Sequence, residues 1–260
     1  MELFSADFLS PHLLAIMFLV ALVAGAIDAV AGGGGLIVMP AFLLAGVPPI
    51  TALGTNRLQA SIGELTSIVV YYRNGLLINM CFVRGAIFTG VGAIIGSIAA
   101  SLMTTDALNL LLPVLMGCIL IYTIFSKKIR DNIVHRQVLS VSLFMSFMGI
   151  VLGFYNGFFG PGTGSLWLIA FVTLLGSTLR EASIYSKPLN FVSNLISLIF
   201  FIAVGEVSFA LGGVMAMGQV IGATFGSRLV ISNGERIVRP LFICVVSMLT
   251  AKLILQAWFS

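Results

Sequence analysis

The sequence predicts an all-α polytopic membrane protein built as two pseudo-symmetric repeats of opposite orientation. Three observations carry this: the composition, the spacing of long apolar segments, and a recurrence of small and polar residues at nearly constant offset. Of 260 residues, 59% are hydrophobic and 8% charged, against about 45–50% and 25% in soluble domains. Too little polar surface remains to cover a water-facing globule. The same scarcity of charge excludes an acidic disordered tail, a coiled coil and a nucleic-acid binder, although the formal charge is +4. The apolar stretches are continuous rather than alternating, which argues against a β-barrel.

At about 20 residues per span, the length allows roughly eight to ten crossings with short loops. The apolar segments fall near 12–31, 36–50, 56–72, 84–103, 107–125, 137–159, 164–176, 187–205, 209–230 and 237–258. Residues 12–31 end in Ala29-Val30-Ala31, like a signal-peptidase site, but Glu2 and Asp7 precede them with no Lys or Arg. We therefore read them as a retained first membrane segment. Cys81, Cys118 and Cys244 stand alone in apolar runs and read as packing residues.

The strongly polar stretch Ser126–Arg136 holds Lys127, Lys128, Arg130 and Arg136, and the positive-inside rule makes it cytoplasmic. The same side then receives Arg73, Arg84, Arg180, Lys187, Arg228, Arg236 and Arg239, leaving Arg57 and Lys252 as exceptions. Residues 1–125 and 137–260 form the two repeats, with 126–136 as the linker. Shifted by 128–130 positions, Gly25 falls on Gly153, Asp28 on Asn156, Gly32 on Gly160, Arg57 on Lys187, and Gly96-Ser97 on Gly226-Ser227. Each half has a returning pair of segments followed by three more. An odd number of crossings inverts the second copy, an arrangement common in secondary transporters.

The breaks within each pair are the first candidate site. Gly32, Gly33, Gly34 and Gly35 follow Asp28, and Gly160-Pro161-Gly162-Thr163 follow Asn156. Four glycines disfavour a continuous helix, and Pro161 has no N–H to donate. Irregular backbone at membrane depth persists where it lines a protein-buried or watery cavity. A helix starting there presents free N–H groups suited to an anion; a tight turn between packed helices is the bland alternative.

Thr55-Asn56-Arg57-Leu58-Gln59 corresponds to Tyr185 through Asn190, which contains Lys187. Arg57 and Lys187 are cations at the start of apolar segments, positions that are costly unless they face a cavity or partner. Snorkelling to the headgroups is the alternative. Glu64 lies on the Arg57 helix face two turns on. Its counterpart is Asn194, as that of Asp28 is Asn156, so the carboxylates belong to one half only. Asp28 and Glu64 are candidates for proton coupling or for neutralising Arg57. Gly92xxxGly96 and Gly218xxxGly222xxxGly226 read as close-packing helix faces and would permit a homodimer.

The Gly-rich breaks, Asn56-Arg57, the Gly153-Phe-Tyr-Asn-Gly-Phe-Phe-Gly-Pro run and Lys187 to Asn190 together resemble the TauE/SafE/YfcA family of membrane transporters, often called sulfite exporters, and YfcA-type members in particular. The resemblance covers about residues 12–258. It implies about eight full spans, with some of the ten segments as half-helices. It also implies a bacterial inner-membrane exporter or permease for sulfite, sulfonates or related small organic anions. Asn156 and Pro188 depart from the family pattern, which often has Asp in the first place and Leu in the second. The reading is alternating-access transport of a small anionic substrate, bound by Gly32 to Gly35, Thr55, Asn56, Arg57, Gln59, Gly160, Gly162, Thr163, Lys187 and Asn190. A channel, an intramembrane enzyme or a non-transporting membrane partner are the alternatives. The enzyme reading lacks support: His12 and His135 lie apart, and no HExxH or paired acidic motif occurs. No cofactor or metal is expected.

Overall fold

The computed structural model describes residues 10–77, 82–108, 111, 114–115 and 137–233. The basic linker, the final apolar segment, most of segment 107–125, and all three cysteines lie outside them. The described residues form eight principal helices: α1 (Pro11–Ala31), α2 (Gly35–Leu44), α3 (Pro49–Arg73), α4 (Phe82–Ser101), α5 (Val141–Phe158), α6 (Thr163–Leu175), α7 (Leu179–Ala203) and α8 (Phe209–Asn233). A long, a short and two long helices thus occur twice in succession. Local signals set their starts. Ser10 and Ser140 cap α1 and α5 by accepting from the N–H groups of Leu13 and Leu143. Thr178 and Glu181 form a capping box at α7, and Pro49 opens α3.

α1, α4, α5, α7 and α8 are long and apolar enough to cross a membrane. α2, at 10 residues, and α6, at 13, reach only about 15 and 20 Å at 1.5 Å per residue, short of a hydrocarbon core about 30 Å thick. α3 has the length but less apolar character, because one face carries buried polar residues from Thr51 to Ser67.

Packing interlocks the two sets of helices. α1 runs along α8 and α4 along α5, while α3 and α7 meet at the centre. Glycine makes the close crossings possible. A Cβ at Gly222 would fall on the backbone of Leu22 and Ala26, and one at Gly96 on the backbone of Phe154 and Phe158. The glycine faces therefore serve packing as expected, but they are spent inside one chain and carry no argument for a dimer. Gly222→Val is expected to destabilise by about 1–3 kcal/mol through overpacking. Gly213→Ala, where the added atom meets nothing within 4 Å, should leave the melting temperature in detergent equal or slightly raised, since alanine favours a helix interior over glycine.

Two apolar clusters flank the centre. One gathers Phe144, Trp167, Phe171, Ile184 and Leu189 with Tyr71; the other gathers Met39, Phe42, Leu53, Phe159 and Phe201. α3 begins in the second and ends at Tyr71 in the first. α7 begins in the first and ends at Phe201 in the second. The two helices therefore run in opposite senses, and the stretch between the clusters on each is polar.

Candidate functional site

The site forms where the two helix breaks meet. α1 stops at Gly32, whose φ of 72° is left-handed and whose N–H returns to the Asp28 carbonyl. The Ser165 N–H donates to the Gly32 carbonyl at 3.1 Å, and the Ser165 hydroxyl donates to that of Ala31 at 2.8 Å. A Cβ on Gly32 would collide with the Gly164 backbone, so the two breaks touch main chain to main chain. In the second break the Thr163 hydroxyl donates to the Gly160 carbonyl (2.6 Å) and the Tyr155 hydroxyl to that of Pro161 (2.7 Å).

Lys187 extends from α7 into this region and is fully buried. Its Nζ donates to the Asp28 carbonyl at 2.5 Å and to Asp28 Oδ2 at 3.0 Å, and lies 3.4 Å from Glu64 Oε2. Asp28 Oδ1 accepts the Gly34 N–H at 3.1 Å, so the positive end of α2 is occupied by the protein's own carboxylate. Burying ions costs several kcal/mol each unless they are paired and hydrogen-bonded. Here one cation faces two carboxylates, and Glu64 Oε2 has no hydrogen-bond partner.

Arg57, equally buried on α3, has the opposite surroundings. One terminal nitrogen donates to Asn156 Oδ1 at 2.6 Å and to Asn194 Oδ1 at 3.2 Å. The other donates to the carbonyls of Asn156 and Gly157, while Nε has no partner. No carboxylate pairs with it among the described residues. Gly160, with φ of 93°, leaves the space that the guanidinium fills, since a Cβ there would strike it. The Asn156 amide nitrogen completes the set by donating to Ser193 and Asn194. Thus Lys187 reaches Asp28 and Glu64, while Arg57 reaches their sequence counterparts Asn156 and Asn194. The geometry is matched and the charge is not.

A cavity of about 30 Å³ opens among these residues, lined by Asp28, Gly32, Gly34, Gly35, Asn56, Gln59, Ala60, Glu64, Asn156, Gly160, Gly162, Thr163, Gly164, Asn190, Asn194 and Gln219. That volume accommodates water-sized groups, so admitting an anion of four or more heavy atoms requires its walls to separate. Asn56, Gln59 and Gln219 form an amide chain: Gln59 donates to Asn56 at 2.7 Å and accepts from Gln219. Asn190 Oδ1 remains unpartnered.

The structure gathers most of the sequence candidates. Arg57 and Lys187 stand behind the lining rather than in it, and neither snorkels. They lie in the third turns of α3 and α7, because those helices start earlier than their apolar segments suggest. Lys187 is consequently not a loop residue and drops out of the orientation argument. Asp28 and Glu64 pair with Lys187, not Arg57. Gly33 is not part of the lining. Thr55 faces elsewhere, its hydroxyl accepting from the Ser208 N–H at 2.9 Å. α7 continues through Pro188. Sequence reasoning missed Gln219, although a lone amide in an apolar segment is itself a signal, and it treated Asn156 and Asn194 only as counterparts.

A family model described as "Sulfite exporter TauE/SafE" matches residues 17–253. The chain is 39% identical over 255 residues to "Probable membrane transporter protein YfcA" of Escherichia coli (strain K12), covering 98% of this chain and 94% of that protein. It is 40% identical over 250 residues to a "Probable membrane transporter protein" of Haemophilus influenzae, covering 95% and 97%. A similar relative is "Probable membrane transporter protein ORF9" of a Sinorhizobium species, at 37% identity, covering 94% of this chain and 93% of that protein. No solved structure matches significantly. With its family model spanning nearly the whole chain, this protein belongs to the TauE/SafE family of membrane transporters.

Proposed function

We propose that the protein carries a small anion, such as sulfite, a sulfonate or a related organosulfur compound, across the bacterial inner membrane by alternating access. One observation carries the reading: Arg57 is a fully buried cation held by neutral amides, with an Nε–H unspent. A buried charge needs a counter-charge, and here the substrate supplies it when the walls around Asn156, Gly160 and Asn194 part. The N-terminus of α6, at Thr163, lends the same sign of field. The recurring helix order, the opposed senses of α3 and α7, and the recurrence of residues across 1–125 and 137–260 support an inverted duplication, whose halves rock about the shared breaks.

Glu64 is the coupling group in this scheme. Asp28 is held by hydrogen bonds from Lys187 and Gly34, whereas Glu64 Oε2, beside the cavity, has no hydrogen-bond partner and only the longer 3.4 Å approach of the same ammonium. Proteoliposomes loaded with sulfite, sulfonates or small carboxylates test the function. Flux of at least one is expected, and no flux with or without a pH gradient defeats the reading. Glu64→Gln should flatten the pH dependence of that flux; an unaltered profile removes Glu64 from the coupling.

A further inference from the structure

A hydrogen-bonded seam leads away from the cavity along α3. Thr51, Thr55 and Gln59 recur every four residues on one helix face, all three buried, and each meets a partner from the second repeat. The Thr51 hydroxyl donates to Glu206 Oε2 at 2.6 Å, the Thr55 hydroxyl accepts the Ser208 N–H at 2.9 Å, and Gln59 accepts from Gln219 on α8. The innermost rung, Gln59 with Gln219, belongs to the cavity lining; the outermost ends at Glu206, half-buried in the turn before α8. Shifted by 130 positions, the same stripe becomes Glu181, Tyr185 and Leu189 on α7. There the Tyr185 ring lies 6.0 Å from that of Phe82 and 6.2 Å from that of Phe171, Leu189 sits in an apolar cluster, and Glu181 serves the capping box. One seam is polar along its length and its mirror, between α7 and α4, is apolar.

We propose that the seam between α3 and α8 is the passage joining the cavity to the outer surface, closed here and opened when its rungs part. This rests on the anion-transport reading above. Arg73 at the far end of α3 marks the inner side, so Thr51 and Glu206 face outward. Parting such a seam exchanges each hydrogen bond for one to water, and bonds of this kind hold membrane helices together only weakly. Parting Tyr185 and Leu189 from their neighbours would instead wet hydrocarbon, which water opposes. The polar seam is therefore the easier one to fill with water. Once open, it offers an anion a file of donors: the Thr51 and Thr55 hydroxyls, the Ser208 N–H and the Gln219 amide. Closed, it leaves no room, since a Cβ on Gly54 would fall on the Glu206 carbonyl oxygen and one on Gly63 on the Gln219 side chain.

Bridging paired cysteines with Cd2+ tests the passage on the full-length protein in proteoliposomes, with Cys81, Cys118 and Cys244 changed to alanine. A Cβ on Gly212 would lie 3.3 Å from Thr55 Cγ2, so Thr55→Cys with Gly212→Cys sets two thiolates where one soft cation joins them. Cd2+ should lower the sulfite flux of this protein at least about tenfold, by holding shut a seam that must part in each cycle, and EDTA should restore it. Each single-cysteine protein should be inhibited far less. Phe88→Cys with Gly149→Cys, which bridges α4 to α5, should keep its flux in Cd2+. Thr51→Cys with Glu206→His moves the bridge to the outermost rung and covers the case in which Gly212→Cys does not fold. Undiminished flux with the bridge in place, shown by loss of thiol labelling, overturns the passage while leaving anion transport intact. Equal inhibition of the α4–α5 pair overturns it as well, as do seam thiols that stay free in Cd2+. If the parent carries no sulfite, sulfonate or small carboxylate, the transport reading fails and the passage with it.

Discussion

Replacing Lys187 with methionine is expected to destabilise the protein by about 3–5 kcal/mol, the largest effect of any single change at the site. Its ammonium is the one cation within 4 Å of either Asp28 or Glu64 among the described residues. Removing it strands two carboxylates in a buried region and leaves the Asp28 carbonyl, at the last turn of α1, with the Gly32 N–H alone. The triple variant Lys187→Met, Asp28→Asn, Glu64→Gln should recover most of the loss, because a buried neutral set strands no charge. Melting temperature and yield in detergent distinguish these outcomes. A single Lys187→Met variant as stable as the parent would mean that the carboxylates are not held by that pair.

Arg57→Gln should behave differently. Its partners are two side-chain amides and two carbonyls, so glutamine leaves no ion unpaired and the fold should tolerate it better than Lys187→Met. Function should suffer instead. A charge-assisted hydrogen bond contributes about 1.5–3 kcal/mol, so anion affinity should fall roughly ten- to a hundredfold. Stable protein with undiminished flux would detach Arg57 from substrate.

The fold was legible because the bilayer enforces it: continuous apolar runs mark helices, and glycines in steps of four mark their crossings. Helix starts at the centre were less legible. Arg57 looked like the first turn of a helix that begins at Pro49, since Thr51, Gly54 and Thr55 interrupt the apolar run with residues that are nonetheless buried. Thr178 with Glu181 is the capping box that starts α7 early, a polar signal that the placement of apolar segments does not carry. At the site, the correspondence of Arg57 with Lys187 and of Asp28 with Asn156 was readable from offset alone. Who pairs with whom was not. Each cation crosses from its own set of helices to the other, and the antiparallel packing of α3 against α7 decides that contact.

The central claim is that the uncompensated charge of Arg57, rather than the shape around it, makes an anion site. Asn194→Asp tests this most directly, since it alters one atom of a side chain that already accepts from Arg57. A carboxylate there would neutralise the guanidinium from within, as Asp28 does for Lys187. Sulfite flux in proteoliposomes at neutral pH is the measurement. Loss of flux from a well-folded Asn194→Asp protein is predicted; flux equal to the parent's would contradict the account.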